Sequence, residues 1–179
     1  MYRFHYNYMT KKYGDNLKLL FTDTDSLCYH VFTKDIYRDM QADLDTHFDT
    51  SDYPPDHLLY SSKNKKVIGL MKDETNGVPI EEFVGLRSKM YSLKYNNEEK
   101  KRAKGISKAV VKKNINHDDY KNTLFNGVLM RHEMLGFRSK LHDVYTVRTD
   151  KISLSAFDDK RYVCDDGIST YAYGHVDTQ

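Results

Sequence analysis

Phe21-Thr22-Asp23-Thr24-Asp25-Ser26 places two carboxylates two residues apart between two apolar segments. Leu19 and Leu20 come before this hexapeptide, and Leu-Cys-Tyr-His-Val follows it at residues 27–31. Both flanks have the aliphatic, aromatic and β-branched composition of short strands. The sequence therefore predicts a β-hairpin over residues 17–32, with the two acids at its tip.

The spacing of Asp23 and Asp25 allows two interpretations. Magnesium prefers hard oxygen ligands and is usually held by one or two carboxylates together with substrate phosphates. Two such ions can stabilise the attacking and leaving oxygens of an in-line displacement. Asp-Thr-Asp is also a good turn sequence, because Asp and Thr side chains bond to the local backbone. The pattern alone leaves both a magnesium site and a simple turn open.

The size and composition of the chain limit its class. With 179 residues and 39% hydrophobic side chains, it can form one ordinary domain or two small ones. The two cysteines, Cys28 and Cys164, have no zinc-site spacing, and we expect reduced structural thiols. No run of about 18 apolar residues predicts a membrane span, and the first residues lack the apolar core of a signal peptide. We expect an intracellular protein, and composition gives no finer location.

Basic charge is concentrated in the middle of the chain. Residues 60–113 carry 14 basic and 6 acidic side chains, whereas acidic groups are in excess on both sides of this segment. Concentrated basic charge is typical of a surface that holds a phosphate backbone. A solvated charged face with no partner is the alternative.

Two helices are predicted in the first 50 residues. Residues 3–12 have helical apolar spacing, and Gly14 ends that helix. A second helix is expected to begin with Thr33 as its N-cap. Its apolar stripe consists of Ile36, Met40, Leu44 and Phe48. We expect its acidic residues to be solvated and to bind no metal: Asp39, Asp43, Asp45 and Asp49.

From residue 63 the pattern favours strands, with two helices among them. Paired prolines predict a loop at residues 51–55, and Asn76-Gly77 is the strongest hairpin signal in the chain. The predicted strands cover residues 66–72, 78–84, 89–95, 144–147, 152–154 and 161–164. The predicted helices cover residues 108–113 and 117–125, and the second has two acidic residues in its first turn.

The Leu-Leu-Phe-Thr-Asp-Thr-Asp-Ser-Leu segment at residues 19–27 resembles the third polymerase motif of family B DNA polymerases. That motif usually reads Tyr-Gly-Asp-Thr-Asp-Ser, and here Phe21-Thr22 stands in place of Tyr-Gly. This form resembles the enzymes of protein-primed viruses and self-synthesising mobile elements. The resemblance implies that Asp25 is a direct Mg²⁺ ligand and that Asp23 is the supporting acid. It implies that Thr22, Thr24 and Ser26 support them.

A second signature lies on a predicted strand, where residues 84–93 contain Lys89-Met90-Tyr91. Lys-x-Tyr by itself is weak evidence. Here, however, it lies C-terminal to the aspartate motif, and this position resembles that of the primer-contacting Lys-x-Tyr element of family B polymerases. The resemblance implies that Lys89 and Tyr91 contact the primer strand. On a strand both side chains would share one face, since residues i and i+2 do. Lys89 would supply a point charge for phosphate.

Lys104-Gly105-Ile106-Ser107 resembles the Lys-Gly-Ile-Ser segment that follows Lys-x-Tyr in the viral and mobile-element branch. Gly105 would let the backbone approach a phosphate closely, and with Lys104 it completes the predicted DNA-binding residues. The same segment can be read as a helix cap with Ser107 as N-cap, and both readings can hold together.

The C-terminal segments at residues 154–162, 166–168 and 173–175 resemble the tail of the same branch, although no mechanism follows from them. The resemblance thus extends over roughly residues 1–175. Two further palm motifs of the family do not occur in the sequence: an Asp followed by Ser-Leu-Tyr-Pro, and a fingers motif with Asn-Ser-x-Tyr-Gly. We therefore expect a C-terminal piece of a polymerase that is inactive alone, because two-metal chemistry requires carboxylates from both palm motifs.

The expected fold is α+β: a partial palm of β-hairpin and helices over residues 1–60, then a mixed β/α thumb-like region over 61–179. The expected function is template-directed nucleotidyl transfer to a primer 3′ end by a DNA-directed DNA polymerase. The resemblance implies primer-template DNA, deoxynucleoside triphosphates, Mg²⁺ and a terminal protein primer as partners. The alternative is a non-catalytic DNA-binding module or the remnant of an integrated element.

Overall fold

The computed structural model describes residues 1–157, 161–172 and 174–178. Helices make up 26% and strands 37% of the chain, so the fold is mixed α+β, as predicted. The chain divides into two compact units. The first comprises Met1–Glu82 with Tyr95–Glu98, and the second comprises Phe83–Lys94 with Glu99–Gln179. The first unit thus extends past residue 60, the boundary drawn from the sequence.

The first unit begins with a continuous helical segment. A π-helix over Arg3–Met9 runs into a short α-helix, α1, over Thr10–Tyr13. Gly14 ends it with a φ of 52°, in the region that favours glycine. A 3-10 turn over Gly14–Asn16 then leads into strands β1 (Leu17–Asp23) and β2 (Ser26–Val31). The predicted first helix and hairpin are both confirmed.

The second predicted helix is two short helices, α2 (Ile36–Gln41) and α3 (Leu44–His47). Asp35, not Thr33, is the N-cap of α2, since its carboxylate accepts from the N–H groups of Tyr37 and Arg38. Thr33 instead donates to Asp39 at 2.6 Å. The apolar stripe is therefore interrupted after Gln41, and the prediction of one helix was wrong.

Asp49 corrects the prediction of a solvated acidic face. It lies in a two-residue strand, β3 (Phe48–Asp49), which pairs in parallel with β4 (Met71–Lys72). Its side chain is buried, and its two oxygens accept from the N–H groups of Ser51 and Lys66 at 3.0 Å each. Asp49 therefore ties two loops together. Of the strand predicted over residues 66–72, the described structure has only the two residues of β4 in a strand.

Replacing Asp49 with asparagine is expected to lower the free energy of unfolding by about 1.5–3 kcal/mol at neutral pH, because two bonds to a buried charged group are weakened. Burial alone would raise the pKa of Asp49, but hydrogen bonds from Ser51 and Lys66 lower it overall. The ionised form therefore stabilises the fold above the unfolded pKa, and this stabilisation is lost as the pH falls through the lower folded pKa. Urea unfolding at pH 7 and below about pH 4 measures both effects.

The exposed Asp56→Asn is the matched control for Asp49→Asn and is expected to change stability by less than about 0.5 kcal/mol. A difference between wild type and Asp49→Asn that stays constant with pH would contradict the assignment.

The second unit contains a three-stranded sheet in the order β5-β6-β7, formed by β5 (Glu82–Arg87), β6 (Met90–Tyr95) and β7 (Glu98–Ala103). Two helices follow, α4 (Lys108–Asn114) and α5 (His117–Asn126), and both were predicted. Ser107 caps α4 by accepting from the Val110 N–H, and Asn116 with Asp119 forms a capping box for α5. Residues 98–103, for which no regular structure was predicted, form the edge strand β7.

Buried side chains from the sheet and from both helices form the core of this unit: Val84, Met90, Ala103, Val111, Ile115, Tyr120 and Leu154. A long antiparallel ribbon follows α5, made of β8 (Met130–Lys140) and β9 (Asp143–Leu154). The predicted strands at 144–147 and 152–154 are both parts of β9, and β8 was not predicted.

Asn76-Gly77 makes a turn without a hairpin. Both residues have positive φ, 54° and 87°, as their type predicts, but residues 78–81 form no strand. The Gly77 N–H donates instead to the Asp73 carboxylate at 2.8 Å.

Near the C-terminus β10 (Arg161–Val163) pairs with β11 (Thr170–Ala172), which confirms a strand at 161–163. Of the C-terminal signature, Asp158, Asp159, Lys160 and Tyr173 lie outside the described residues. Both cysteines are free, as expected. No described helix is long and apolar enough to cross a membrane.

Candidate functional site: the aspartate hairpin and a pair of lysine turns

The predicted acids lie at the tip of the β1–β2 hairpin. Asp23 is the last residue of β1 and stands opposite Ser26, so that Thr24 and Asp25 form a two-residue turn. The register shifts between Leu19 and Phe21, because two residues of β1 oppose one residue of β2 there. Such a bulge re-aims the residues that follow it. It sets the register that places Asp23 opposite Ser26.

Thr24 adopts a backbone conformation that a β-branched residue rarely takes. Its φ is 55°, and the Asp25 N–H donates to the Asp23 carbonyl at 2.7 Å. A bond from residue i to i+2 around a positive φ is a γ-turn of the rare, strained kind. Strained non-glycine residues persist where the surroundings fix them, and they cluster at functional sites. The tip is therefore more than a generic β-turn.

The two carboxylates differ in their surroundings. Asp23 is half-buried, its Oδ1 lies 3.4 Å from the Thr24 hydroxyl, and its carbonyl accepts from the Ser26 hydroxyl at 3.2 Å. Asp25 is exposed, and no described residue bonds to its carboxylate. Thr24 and Ser26 thus both contact Asp23, whereas Thr22 contributes its strand pairing with Leu27.

The donor set of this tip fits magnesium only as a partial site. It offers two carboxylates, the number that Mg²⁺ takes from a protein when phosphates and water complete its shell. No group of three or more His, Cys, Asp or Glu that could hold a metal occurs within the described part of the chain. Asp23 and Asp25 can therefore hold a metal together with a phosphate ligand, but they do not form an all-protein cage.

The Lys-x-Tyr element lies differently from the prediction. Lys89 is outside β6, in the β5–β6 turn, with a φ of 58°. Tyr91 is a buried residue of the strand, with its ring 6.4 Å from that of Phe83. The two side chains therefore do not share a strand face, because residue 89 has left the strand. Lys89 is exposed, whereas Tyr91 is a buried core residue, and contact of either with a primer strand stays a prediction.

The second lysine signature lies beside the first. The Lys104 N–H donates to the Lys89 carbonyl at 3.0 Å, although 15 positions separate them in sequence. Gly105 follows with a φ of 85°, and no other atom lies within 4 Å of the Cβ position it lacks. Lys89, Lys104 and Gly105 are all exposed. The β6–β7 pairing thus joins two positively charged left-handed turns into one surface, which we call the lysine-turn pair.

A buried polar pair in the second unit was not predicted. The Ser92 hydroxyl and the His117 Nδ1 atom lie 2.8 Å apart, and both side chains are buried. The His117 N–H also donates to Glu99 at 3.2 Å. This pair joins α5 to the sheet. The sequence carries no signal for it, since Ser92 and His117 belong to separate elements.

The aspartate hairpin belongs to the first unit and the lysine-turn pair to the second. A scan against protein-family models found no match. Searches of curated proteins and of solved structures likewise found no similar protein.

Proposed function

We propose that this chain is part of a DNA-directed DNA polymerase of the family B type and contributes the aspartate pair of its palm. The observation that carries the proposal is the hairpin tip. Asp23 and Asp25 flank a strained γ-turn at Thr24, within a sequence that resembles the third polymerase motif. Strain maintained at a pair of acids favours a functional turn over a simple connection.

Asp25 would hold Mg²⁺ directly, because its carboxylate is exposed and bonds to no described residue. Asp23 would be the supporting acid, held by Thr24 and Ser26. When bound, the ion would supply charge stabilisation to the attacking and leaving oxygens of nucleotidyl transfer. The chain's own contribution is to hold two negative charges at a fixed spacing.

The lysine-turn pair would hold the backbone of the primer-template duplex. Lys89 and Lys104 present two positive charges on adjacent turns, and Gly105 leaves open space beside them. Phosphate contacts of this kind position a duplex without reading its sequence. Deoxynucleoside triphosphates as substrates and a terminal protein as primer are proposed from the sequence resemblance alone.

The second candidate function is a DNA-binding module without catalysis, including a remnant of an integrated element. The lysine-turn pair favours this second function, because phosphate binding by that surface does not require the aspartates. The two functions differ in metal dependence: only the polymerase proposal requires Asp25 to bind a divalent ion beside DNA.

We expect Mg²⁺ to tighten the binding of primer-template DNA with a triphosphate, and Asp25→Asn to remove that tightening, because the variant keeps the shape of the side chain and loses its charge. The loss expected is about tenfold in affinity, or about 1.4 kcal/mol. Fluorescence anisotropy at constant ionic strength, with and without Mg²⁺, measures it.

Asp15→Asn is the matched control for Asp25→Asn, since Asp15 is an exposed acid of the same unit outside the hairpin. It should retain the response to Mg²⁺. Equal responses in wild type and Asp25→Asn would exclude the proposed metal role and leave the DNA-binding module.

The purified chain is expected to give no primer extension with Mg²⁺ and all four deoxynucleoside triphosphates. Two-metal catalysis requires a second set of carboxylates, and the resemblance assigns these to an Asp-Ser-Leu-Tyr-Pro motif that the sequence lacks. A gel assay with a labelled primer measures extension. Template-dependent incorporation by the purified chain would contradict the expectation that it is inactive. If Asp25→Asn abolished that incorporation, the result would also support the metal site.

A further inference from the structure

The first unit contains an open cavity of about 380 Å³. Its walls come from the N-terminal helical segment, β2, α2 and residues 71–80. Ligand pockets typically measure about 300–1,000 Å³, so this cavity is large enough for a small molecule. The lining is mostly aromatic and aliphatic, with Phe4, Met9, Val31, Ile36 and Met40 among the apolar side chains.

Five tyrosines line the cavity, and four of their hydroxyls have a hydrogen-bond partner in the protein. The contacts are Tyr8 with Asp43, Tyr29 with His5, Tyr37 with the Gly77 carbonyl, and Tyr53 with Asp73. A hydroxyl that already has a partner has little to gain from a ligand. The rings of these tyrosines, and not their hydroxyls, are therefore what they offer to a ligand.

The charged side chains of the wall are also paired. Lys72 forms an ion pair with Asp52 at 2.5 Å. The Asp73 carboxylate accepts from the Tyr53 hydroxyl, from the N–H and hydroxyl of Thr75, and from the Gly77 N–H. An anionic ligand would leave water without gaining an unpaired cation, because Lys72 is already paired with Asp52, and that desolvation is costly. A cationic ligand would compete with the four hydrogen bonds that the Asp73 carboxylate already accepts.

His30 is the remaining ionisable lining residue. It is exposed, and its ring centroid lies 4.3 Å from that of Phe32.

Burial raises the pKa of Tyr29 to about 12, and burial, with the nearby Asp39, raises that of Tyr13 to about 12. The phenolic walls thus stay neutral at physiological pH.

We propose that this cavity binds a neutral, flat aromatic molecule of about two fused rings. An apolar cavity of about 150 Å³ is enough to take benzene, so a volume somewhat more than twice as large suits a two-ring ligand. Aromatic side chains around such a ligand provide offset-stacked and edge-to-face contacts. This site shares strand β2 with the aspartate hairpin, but Asp23 and Asp25 do not line it, and it does not depend on the proposed polymerase function.

The test compares naphthalene with naphthalene-1-sulfonate, which share a ring system and differ in charge. In titrations of the full chain followed by NMR, naphthalene is expected to shift ring resonances of the lining tyrosines and to bind at least about tenfold more tightly than the sulfonate. Equal binding of the two, or shifts confined to residues outside the cavity, would overturn the proposal.

Two substitutions that fill the cavity, Val31→Trp and Val78→Trp, provide an independent test of the site. Each is expected to weaken naphthalene binding at least about tenfold. Ile68→Trp is the control, because Ile68 belongs to the same unit, is 99% exposed and does not line the cavity. Naphthalene binding unchanged in both folded filling variants would overturn the site.

If either filling variant fails to fold, the NMR map on the unaltered chain decides the question.

Discussion

Replacing Tyr120 with alanine is expected to lower the free energy of unfolding of the second unit by about 3–5 kcal/mol, the usual cost of truncating a large buried aromatic residue. Tyr120 is fully buried in the core beside Val111, Ile115 and Leu154. Its hydroxyl donates to the Arg102 carbonyl at 2.8 Å and so joins α5 to β7. The substitution removes the packing and the hydrogen bond together.

Tyr120→Phe separates these two contributions. It keeps the ring and leaves the Arg102 carbonyl without this donor, so the expected loss is about 1 kcal/mol. Phe125→Ala is the control on the same helix, since Phe125 is 77% exposed and its truncation should stay within about 0.5 kcal/mol of wild type. Urea unfolding followed by circular dichroism measures all three variants. A loss for Tyr120→Ala no greater than for Tyr120→Phe would show that the ring is not a core element.

The double substitution Lys89→Ala with Lys104→Ala is expected to weaken DNA binding strongly. Each lysine that neutralises a phosphate adds about 0.9 to the slope of log affinity against log salt. Removing both should reduce that slope by about 2 and lower the affinity roughly a hundredfold at low salt, at about tenfold for each contact. Because these are phosphate contacts, the loss should be similar for different sequences.

Lys11→Ala with Lys34→Ala is the matched control, because it removes the same charge from exposed lysines of the first unit outside residues 60–113. Salt titrations of a fluorescent duplex measure both double variants. Equal losses in the two would mean that DNA responds to net charge alone, and the lysine-turn pair would then not be a specific surface.

Local signals predicted the parts of the fold that short-range chemistry decides. The β1–β2 hairpin, the Ser107 cap and helix α5 depend on residues within a few positions of each other. Predictions failed where contacts between residues distant in the sequence determined the local structure. The sequence pattern predicted that Asp49 lies on the solvated face of a helix. In the structure it is a buried strand residue, and its carboxylate accepts from the distant Lys66 N–H.

Lys-x-Tyr shows why the candidate site was only half predictable. The motif predicts that Lys89 contacts the primer strand, and the structure leaves its side chain exposed. The assumption of a continuous strand through residue 89 failed, because a positive φ there ends the β5–β6 turn and leaves Tyr91 in the core. A strand boundary depends on its partner strands, which the motif does not include.

The amino-acid pattern was enough to locate Asp23 and Asp25 and their spacing, since a two-residue turn between apolar strands is a local property. It was also enough for the concentration of basic charge and the α+β class. Only the folded chain shows that Thr24 holds a strained turn and that Lys104 lies against Lys89. It also shows that five tyrosines line an open, mostly apolar cavity. These features depend on strand register and on packing between distant segments, which burial and hydrogen bonding settle only when the chain folds as a whole.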